Sequence, residues 1–337
     1  MDDVAPTDAE VVLSPRWLSQ ALSRPGAPVD VHRVEVLESI RTTATKTRFA
    51  VFCGPEGTRS QYCVKGFFGD AVLPPGAALT SQSEANYYLH VRQRVNVRAA
   101  GLCYAAIDPE SGHGLVLMDD MIAQGARFLT ALEPYTADQA SASLQQLARL
   151  HAPFWGRDLS PFPWLVSRIE RFAETSIIPL EMLQDLLDGE RGVPLPPNVK
   201  NAARIHRGLR AIAERSAPQP QTLVHGDAHA GNLFEVPGGV GLIDWQLLQR
   251  ANWALDVAFH IAAALSEADR EAWEQPLLRH YLACLRAEGV EPPPWDEAWR
   301  EYRAHVLYGY YLWGVTRRVD PPIIHEFVKR LGRAVVA

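Results

Sequence analysis

Cysteine is scarce in this 337-residue chain: Cys53, Cys63, Cys103 and Cys284 are scattered, with no C-x-x-C pair. That excludes a disulfide framework and the usual spacings of a zinc site or redox couple, so the four read as small core hydrophobes. Lysine is scarcer than the charge total suggests. Of 33 basic residues only Lys46, Lys65, Lys200 and Lys329 are lysine, so one at a special position reads as a chemical choice. An excess of positive charge is missing too: the formal charge is -6, and no net field draws the chain to phosphate backbones or anionic lipid. Nucleic acid and membrane are therefore not expected partners. No uninterrupted apolar run reaches the roughly 18 residues of a membrane span, and Met1-Asp2-Asp3 is acidic where a signal peptide is basic. A cytoplasmic location is expected. What remains is 47% hydrophobic and 21% charged, ordinary for a folded core, and long enough for about two domains.

The first third reads as strands. Ser14-Pro15 opens a short helix that Arg24-Pro25-Gly26 breaks. Residues 31–40, 47–53 and 61–68 follow as an antiparallel meander, rich in β-branched and aromatic residues between polar turns. A helix over 83–95 and an apolar strand over 114–118 complete this part. Helical patterns then dominate: 136–151, opening with the capping-box pattern Thr136-x-x-Gln139, then 163–187, 198–215, 253–265, 270–288 and 294–313. Only 223–246 interrupts them with strand character. The expected division is a β-rich N-lobe over 1–119, an antiparallel sheet plus one helix, and a mostly helical C-lobe over 120–337.

The densest polar cluster is His225-Gly226-Asp227-Ala228-His229-Ala230-Gly231-Asn232, entered from Leu223-Val224 and left through Leu233-Phe234. Apolar flanks around a polar, glycine-punctuated centre describe a fixed loop at a cleft. The chain then turns at Pro237-Gly238-Gly239 and returns as 240–243. A three-residue hairpin loop there puts 236 opposite 240, and so Asn232 opposite Asp244. Opposed residues lie about 5 Å apart, close enough for an amide oxygen and a carboxylate to hold one magnesium ion. Asp227, five positions before Asn232, is left to face a substrate hydroxyl as base or orienting group. The His225/His229 pair would suit zinc on a helix, but Gly226 and Gly231 disfavour a helix and the glutamate of H-E-x-x-H is absent.

His-Gly-Asp-x-His-x-x-Asn followed by Ile-Asp-Trp-Gln resembles the catalytic and metal-binding segments of the aminoglycoside phosphotransferase and choline kinase-like superfamily. The likeness is closest to its ecdysteroid-kinase-like branch of small-molecule kinases. The resemblance implies an α+β, two-lobed protein-kinase-like fold with the active cleft between the lobes. It gives Asp227 the catalytic role, Asn232 and Asp244 the magnesium, and His225 the bracing of the loop. It makes Asp256, in Ala254-Leu255-Asp256-Val257-Ala258, the helix aspartate that holds the catalytic loop from behind. It also places an adenine-binding connector at Met118-Asp119-Asp120-Met121, with backbone contacts at Asp119 and Met121; a solvated turn is the bland alternative there.

A kinase needs a cation on the nucleotide phosphates. Lys65 stands in the otherwise apolar Tyr62-Cys63-Val64-Lys65-Gly66-Phe67, and Glu84 is the acidic residue of the following helix that would position it. The pair resembles the strand lysine and helix glutamate of kinases; a lysine snorkelling from an edge strand is the plain alternative. The loop Arg41-Thr42-Thr43-Ala44-Thr45-Lys46 carries no glycine, unlike G-x-G-x-x-G, so Thr43 and Thr45 would bind phosphate through hydroxyls and amides. The expected activity is magnesium-dependent transfer of the γ-phosphoryl group of ATP, or GTP, to a hydroxyl of a small molecule. The competing reading is a catalytically inactive nucleotide-binding scaffold of the same fold. Residues 245–337 hold 12 acidic and 11 basic residues, too balanced for a polycationic acceptor. That favours a steroid-like alcohol, a nucleoside or macrolide antibiotic, or a metabolite, and leaves an antibiotic-resistance role open. The aromatics of 295–313 point around their helix, so some are expected to line a substrate pocket.

Overall fold

The computed structural model describes residues 5–41, 44–69 and 77–335. Thr43 falls outside them. The chain forms two compact units, Met1–Arg94 with Ala99–Ala126, and Val95–Arg98 with Arg127–Ala337.

The first unit opens with α1 (Ala9–Val12) and α2 (Pro15–Leu22), the latter capped by Ser14, whose hydroxyl accepts the Trp17 N–H. β1 (Val31–Arg41), β2 (Thr45–Cys53) and β3 (Thr58–Gly66) form the expected meander. The helix expected over 83–95 starts earlier, as α3 (Ala77–Asn86), and then widens into a π-type turn over Tyr87–Val91. β4 (Leu102–Ile107) was not legible, because Leu-Cys-Tyr-Ala-Ala-Ile has no β-branched residue before its end and no alternation. β5 (Gly114–Asp119) inserts between β3 and β4, giving the order β1-β2-β3-β5-β4. α3 lies so close to β5 that a Cβ on Gly114 would meet the Ser81 carbonyl at 2.3 Å. Ser81 Oγ in turn accepts the Gly114 N–H at 2.7 Å. Leu18, Phe49, Val51, Val64, Leu115 and Leu117 are buried together in the core.

The second unit is mostly helical. β6 (Arg127–Phe128) precedes α4 (Ala137–His151), whose start shows both bonds of the capping box. The single helix expected over 163–187 is instead two, α5 (Arg168–Glu174) and α6 (Leu180–Asp188). The β-branched Thr175, Ile177 and Ile178 followed by Pro179 break it, and Tyr311 Oη accepts the Ile177 N–H at 2.7 Å in the gap. Next come α7 (Ala202–Ser216), β7 (Thr222–Val224), β8 (Leu233–Val236), β9 (Gly239–Leu242) and β10 (Gln249–Ala251). β10 pairs with β7, while β6, β8 and β9 form a second small sheet. The unit closes with α8 (Ala254–Ala264), α9 (Glu267–Ala287), α10 (Trp295–Val315) and α11 (Pro321–Ala334). α11 was missed, although Ile324, Phe327, Val328 and Leu331 mark a helical stripe.

Of the α10 aromatics, Tyr302, Tyr308, Tyr310 and Tyr311 are at most 1% exposed, because α10 packs against α6, α7, α8 and α11 on several sides, whereas Trp299 lines a cavity with Arg300 and Arg303. The four cysteines are partly buried, and Cys53 and Cys103 pack against the core of the first unit. None of the described helices is long and apolar enough to cross a membrane.

Candidate active site

In the first unit, Lys65 projects from β3 and Glu84 from α3; both are about 5% exposed, and Lys65 Nζ sits 2.5 Å from Glu84 Oε2. The pair is too enclosed to be a snorkelling surface lysine. Thr45 begins β2, opposite Gly66 of β3 and Arg41 of β1. At the end of β5, the Asp119 N–H is spent on the Gly101 carbonyl at 2.9 Å. Met121 accepts from the Gln124 and Ala126 N–H groups through its carbonyl. Asp120 is not solvated: 2% exposed, it takes a two-pronged bond from Arg48 at 3.0 and 3.1 Å and accepts the Ile122 N–H at 3.1 Å.

The second unit builds the loop from His225 to Asn232 around α8. All eleven residues of α8 are buried, as expected of a helix apolar all round. Its two polar side chains, Asp256 and His260, are four apart and share a face. Both reach the loop. Asp256 Oδ2 accepts the His225 N–H at 2.6 Å and His151 Nε2–H at 3.1 Å, and Oδ1 accepts the Gly226 N–H at 2.8 Å. Burial pushes this carboxyl upward, but the hydrogen bond and charge of His151, with His225 and the Gly226 N–H, hold it below the usual carboxylate range. His260 donates from Nδ1 to the Ala228 carbonyl at 2.7 Å and accepts Ser143 Oγ–H on Nε2 at 2.6 Å. Burial pulls its imidazole down to about 4.

The loop's other face is pinned from α10. Tyr308 donates to the Gly226 carbonyl at 3.0 Å and accepts from Gln249 Nε2 at 2.9 Å. Gln249 Oε1 accepts the Arg168 and Ile169 N–H groups at the start of α5. Gly226 has φ +81°, and a Cβ on it would meet the Leu247 carbonyl at 2.2 Å, so only glycine fits. Arg168, from α5, bonds the Gln246 carbonyl at 2.7 Å; burial lowers its guanidinium to about 10, opposed by the Tyr308 hydroxyl and Asp227.

Asp227 follows this pinned glycine with its side chain 25% exposed. Asn232 Nδ2 donates to Asp227 Oδ2 at 3.0 Å and to the Asp227 carbonyl at 2.9 Å, which leaves the Asn232 amide oxygen for another partner. His225 is buried: Nε2 donates to the Ile243 carbonyl at 2.9 Å, Nδ1 accepts the Asp227 N–H at 3.3 Å, and the ring lies 4.8 Å from that of Trp245.

The hairpin register differs from the expected one. Val236 pairs with Gly239 and Leu233 with Leu242, so the connection is the two-residue Pro237-Gly238, and Asn232 faces Ile243, whose N–H bonds the Asn232 carbonyl at 3.0 Å. Strand alternation therefore does not deliver Asp244. Asp244 is the one non-glycine described residue at positive φ, +66° with ψ +66°. That left-handed step costs about 1 kcal/mol and ends the strand's alternation. Asn232 carries an amide oxygen and Asp244 a carboxylate, hard oxygen donors of the kind that suit magnesium. Among the described residues no group of three or more His, Cys, Asp or Glu could hold a metal, and His225 and His229 both turn to other partners.

His260, Tyr308, Gln249 and His151 escaped the sequence reading. For His260 the signal was there: a histidine four residues after Asp256 in a helix otherwise without polar side chains.

A β-sheet unit followed by a helical unit with this loop is the protein-kinase-like α+β fold. It is shared with solved structures at low sequence identity. A choline kinase from Cryptosporidium parvum Iowa II aligns over 90% of this chain and 88% of its own, with TM-score 0.56 and 12% identity. An amicoumacin kinase in complex with AMP-PNP, Ca2+ and Ami aligns over 90% and 87%, with TM-score 0.52 and 12% identity. Wild-type aminoglycoside 2'-phosphotransferase-IIIa in its GDP complex aligns over 91% and 93%, with TM-score 0.51 and 13% identity. No curated protein matches the chain significantly. The chain belongs to the phosphotransferase enzyme family, whose sequence model matches residues 71–305.

Proposed function

We propose that the protein transfers the γ-phosphoryl group of ATP, with magnesium, to a hydroxyl of a small molecule. The observation that carries this reading is the Asp227 carboxylate, part exposed on a loop pinned by Asp256 on one face and Tyr308 on the other. In the reaction the acceptor oxygen bonds to the γ-phosphorus, its proton passes to Asp227, and the bond from the γ-phosphorus to the bridging oxygen breaks as ADP leaves. Asn232 and Asp244 would hold magnesium, which when bound offsets phosphate charge. Lys65, steadied by Glu84, would bind the α and β phosphates, with hydroxyls and amides of Thr43 and Thr45 as further phosphate contacts. The Asp119–Met121 segment would meet the base. His225 and Asp256 keep the loop in shape.

The adenine nucleotide analogue and divalent cation in the amicoumacin kinase complex support this chemistry by similarity of fold. The GDP complex of the aminoglycoside phosphotransferase makes GTP the alternative donor. The near-balance of charge over 245–337 favours a neutral or apolar alcohol as acceptor. The test is Asp227→Asn: nucleotide binding, read by a magnesium-dependent thermal shift with ATP, stays near wild type while kcat falls by orders of magnitude. Unchanged turnover would remove Asp227 from the mechanism, and nucleotide binding without turnover in the wild type would favour the scaffold.

A further inference from the structure

We propose that His229 is a positioning residue for Asp227, an inference that rests on the phosphotransferase reading above. The ring of His229 is placed by its surroundings before any substrate arrives. Its centroid lies 5.2 Å from that of Trp313, 5.0 Å from Phe327 and 6.1 Å from Phe259. Gly231 completes the seat, since a Cβ there would come within 3.0 Å of the ring. The side chain is 12% exposed.

Within this clamp the proton's place is fixed by hydrogen bonding. Nδ1 accepts the Gly231 N–H at 3.1 Å, so the ring proton belongs on Nε2. Nε2 lies 3.6 Å from Asp227 Oδ1, a few tenths beyond a hydrogen bond, a gap that a small carboxylate rotation closes. Oδ2 of the same carboxylate already takes Asn232 Nδ2–H at 3.0 Å. Each oxygen of Asp227 thus faces its own N–H donor.

The consequence is orientational. The terminal torsion of an aspartate is broad, so a carboxylate tied at one oxygen still swings about its axis. Donors at both oxygens fix its plane and leave each oxygen a lone pair for the acceptor hydroxyl. His229 acts through Asp227 and needs no contact with substrate.

Two variants separate this role from packing. His229→Leu keeps an apolar filler among Trp313, Phe327 and Phe259 and removes the donor; His229→Gln keeps an N–H near the Nε2 position. With ATP, magnesium and the best acceptor from a hydroxylated-compound screen, His229→Leu lowers kcat about tenfold with both KM values unchanged, and His229→Gln recovers most of it. Long-range proton–nitrogen NMR on the full-length wild type shows His229 protonated at Nε2. Equal kcat in the two variants, or a proton on Nδ1, overturns the proposal while wild-type turnover leaves the phosphotransferase reading standing. Absence of wild-type turnover with every acceptor, despite nucleotide binding, overturns that reading and the role of His229 in it.

Discussion

Replacing Asp256 by asparagine changes one buried atom's chemistry and almost nothing of its shape, so the loss can be worked from the bonds. The carboxylate accepts three donors, two on Oδ2 and one on Oδ1. The amide keeps one oxygen, and its less costly orientation leaves that oxygen with His225 and His151. Its NH2 then faces the Gly226 N–H, formerly 2.8 Å from an acceptor. One charge-assisted bond is lost, worth about 1.5–3 kcal/mol, and a buried donor is orphaned at about 1–3 kcal/mol. The sum, roughly 2.5–6 kcal/mol, brackets the cost of breaking a buried ionic pair. Guanidinium unfolding followed by tryptophan fluorescence measures it at pH 7. The folded carboxyl is held below its ordinary range, so its contribution is complete above that range and is lost as pH falls through the folded value. The gap between wild type and variant therefore stays constant from about pH 8 to 5 and shrinks below about pH 4. A variant within about 1 kcal/mol of wild type at pH 7, or a gap that widens in acid, refutes the reasoning.

Tyr308→Phe leaves the Gly226 carbonyl without its donor and Gln249 Nε2 without its closest acceptor. It costs about 1–3 kcal/mol by denaturant unfolding and lowers kcat about tenfold at unchanged nucleotide KM; steady-state kinetics read the split. His260, pulled down to about 4 by burial, stays uncharged when folded while the unfolded chain takes up a proton near pH 6.5. Stability thus falls on acidification from about pH 6.5 to 4, by roughly 3 kcal/mol for this residue. His260→Asn flattens that slope by about one proton's worth, measured as unfolding free energy against pH.

Local signals carried far into this structure. Thr136 and Gln139 state the start of a helix by themselves, and β-branched and aromatic residues between polar turns over residues 31–68 state three strands, because both are decided within a few residues. Register was another matter. Whether a Pro-Gly-Gly turn spends two residues or three is decided by one glycine, and the two-residue choice turned the inferred Asn232–Asp244 opposition into an Asn232–Ile243 one. The left-handed backbone of Asp244 has no signature in residue order. Likewise, the ties from Tyr308, Gln249 and His151 link positions 59 to 130 residues apart, and no local pattern announces them. What could be read was the chemistry-bearing cluster itself, since polar groups between apolar strands must be paired or used.

The central claim is that this chain moves a phosphoryl group onto a small-molecule hydroxyl through Asp227. Its most direct test is mass spectrometry of a hydroxylated-compound library incubated with ATP, magnesium and enzyme, run in parallel with Asp227→Asn. The account predicts an acceptor heavier by one phosphoryl group with the wild type and none above background with the variant. A product formed equally by both proteins, or no product from any acceptor although the wild type binds nucleotide, would contradict it.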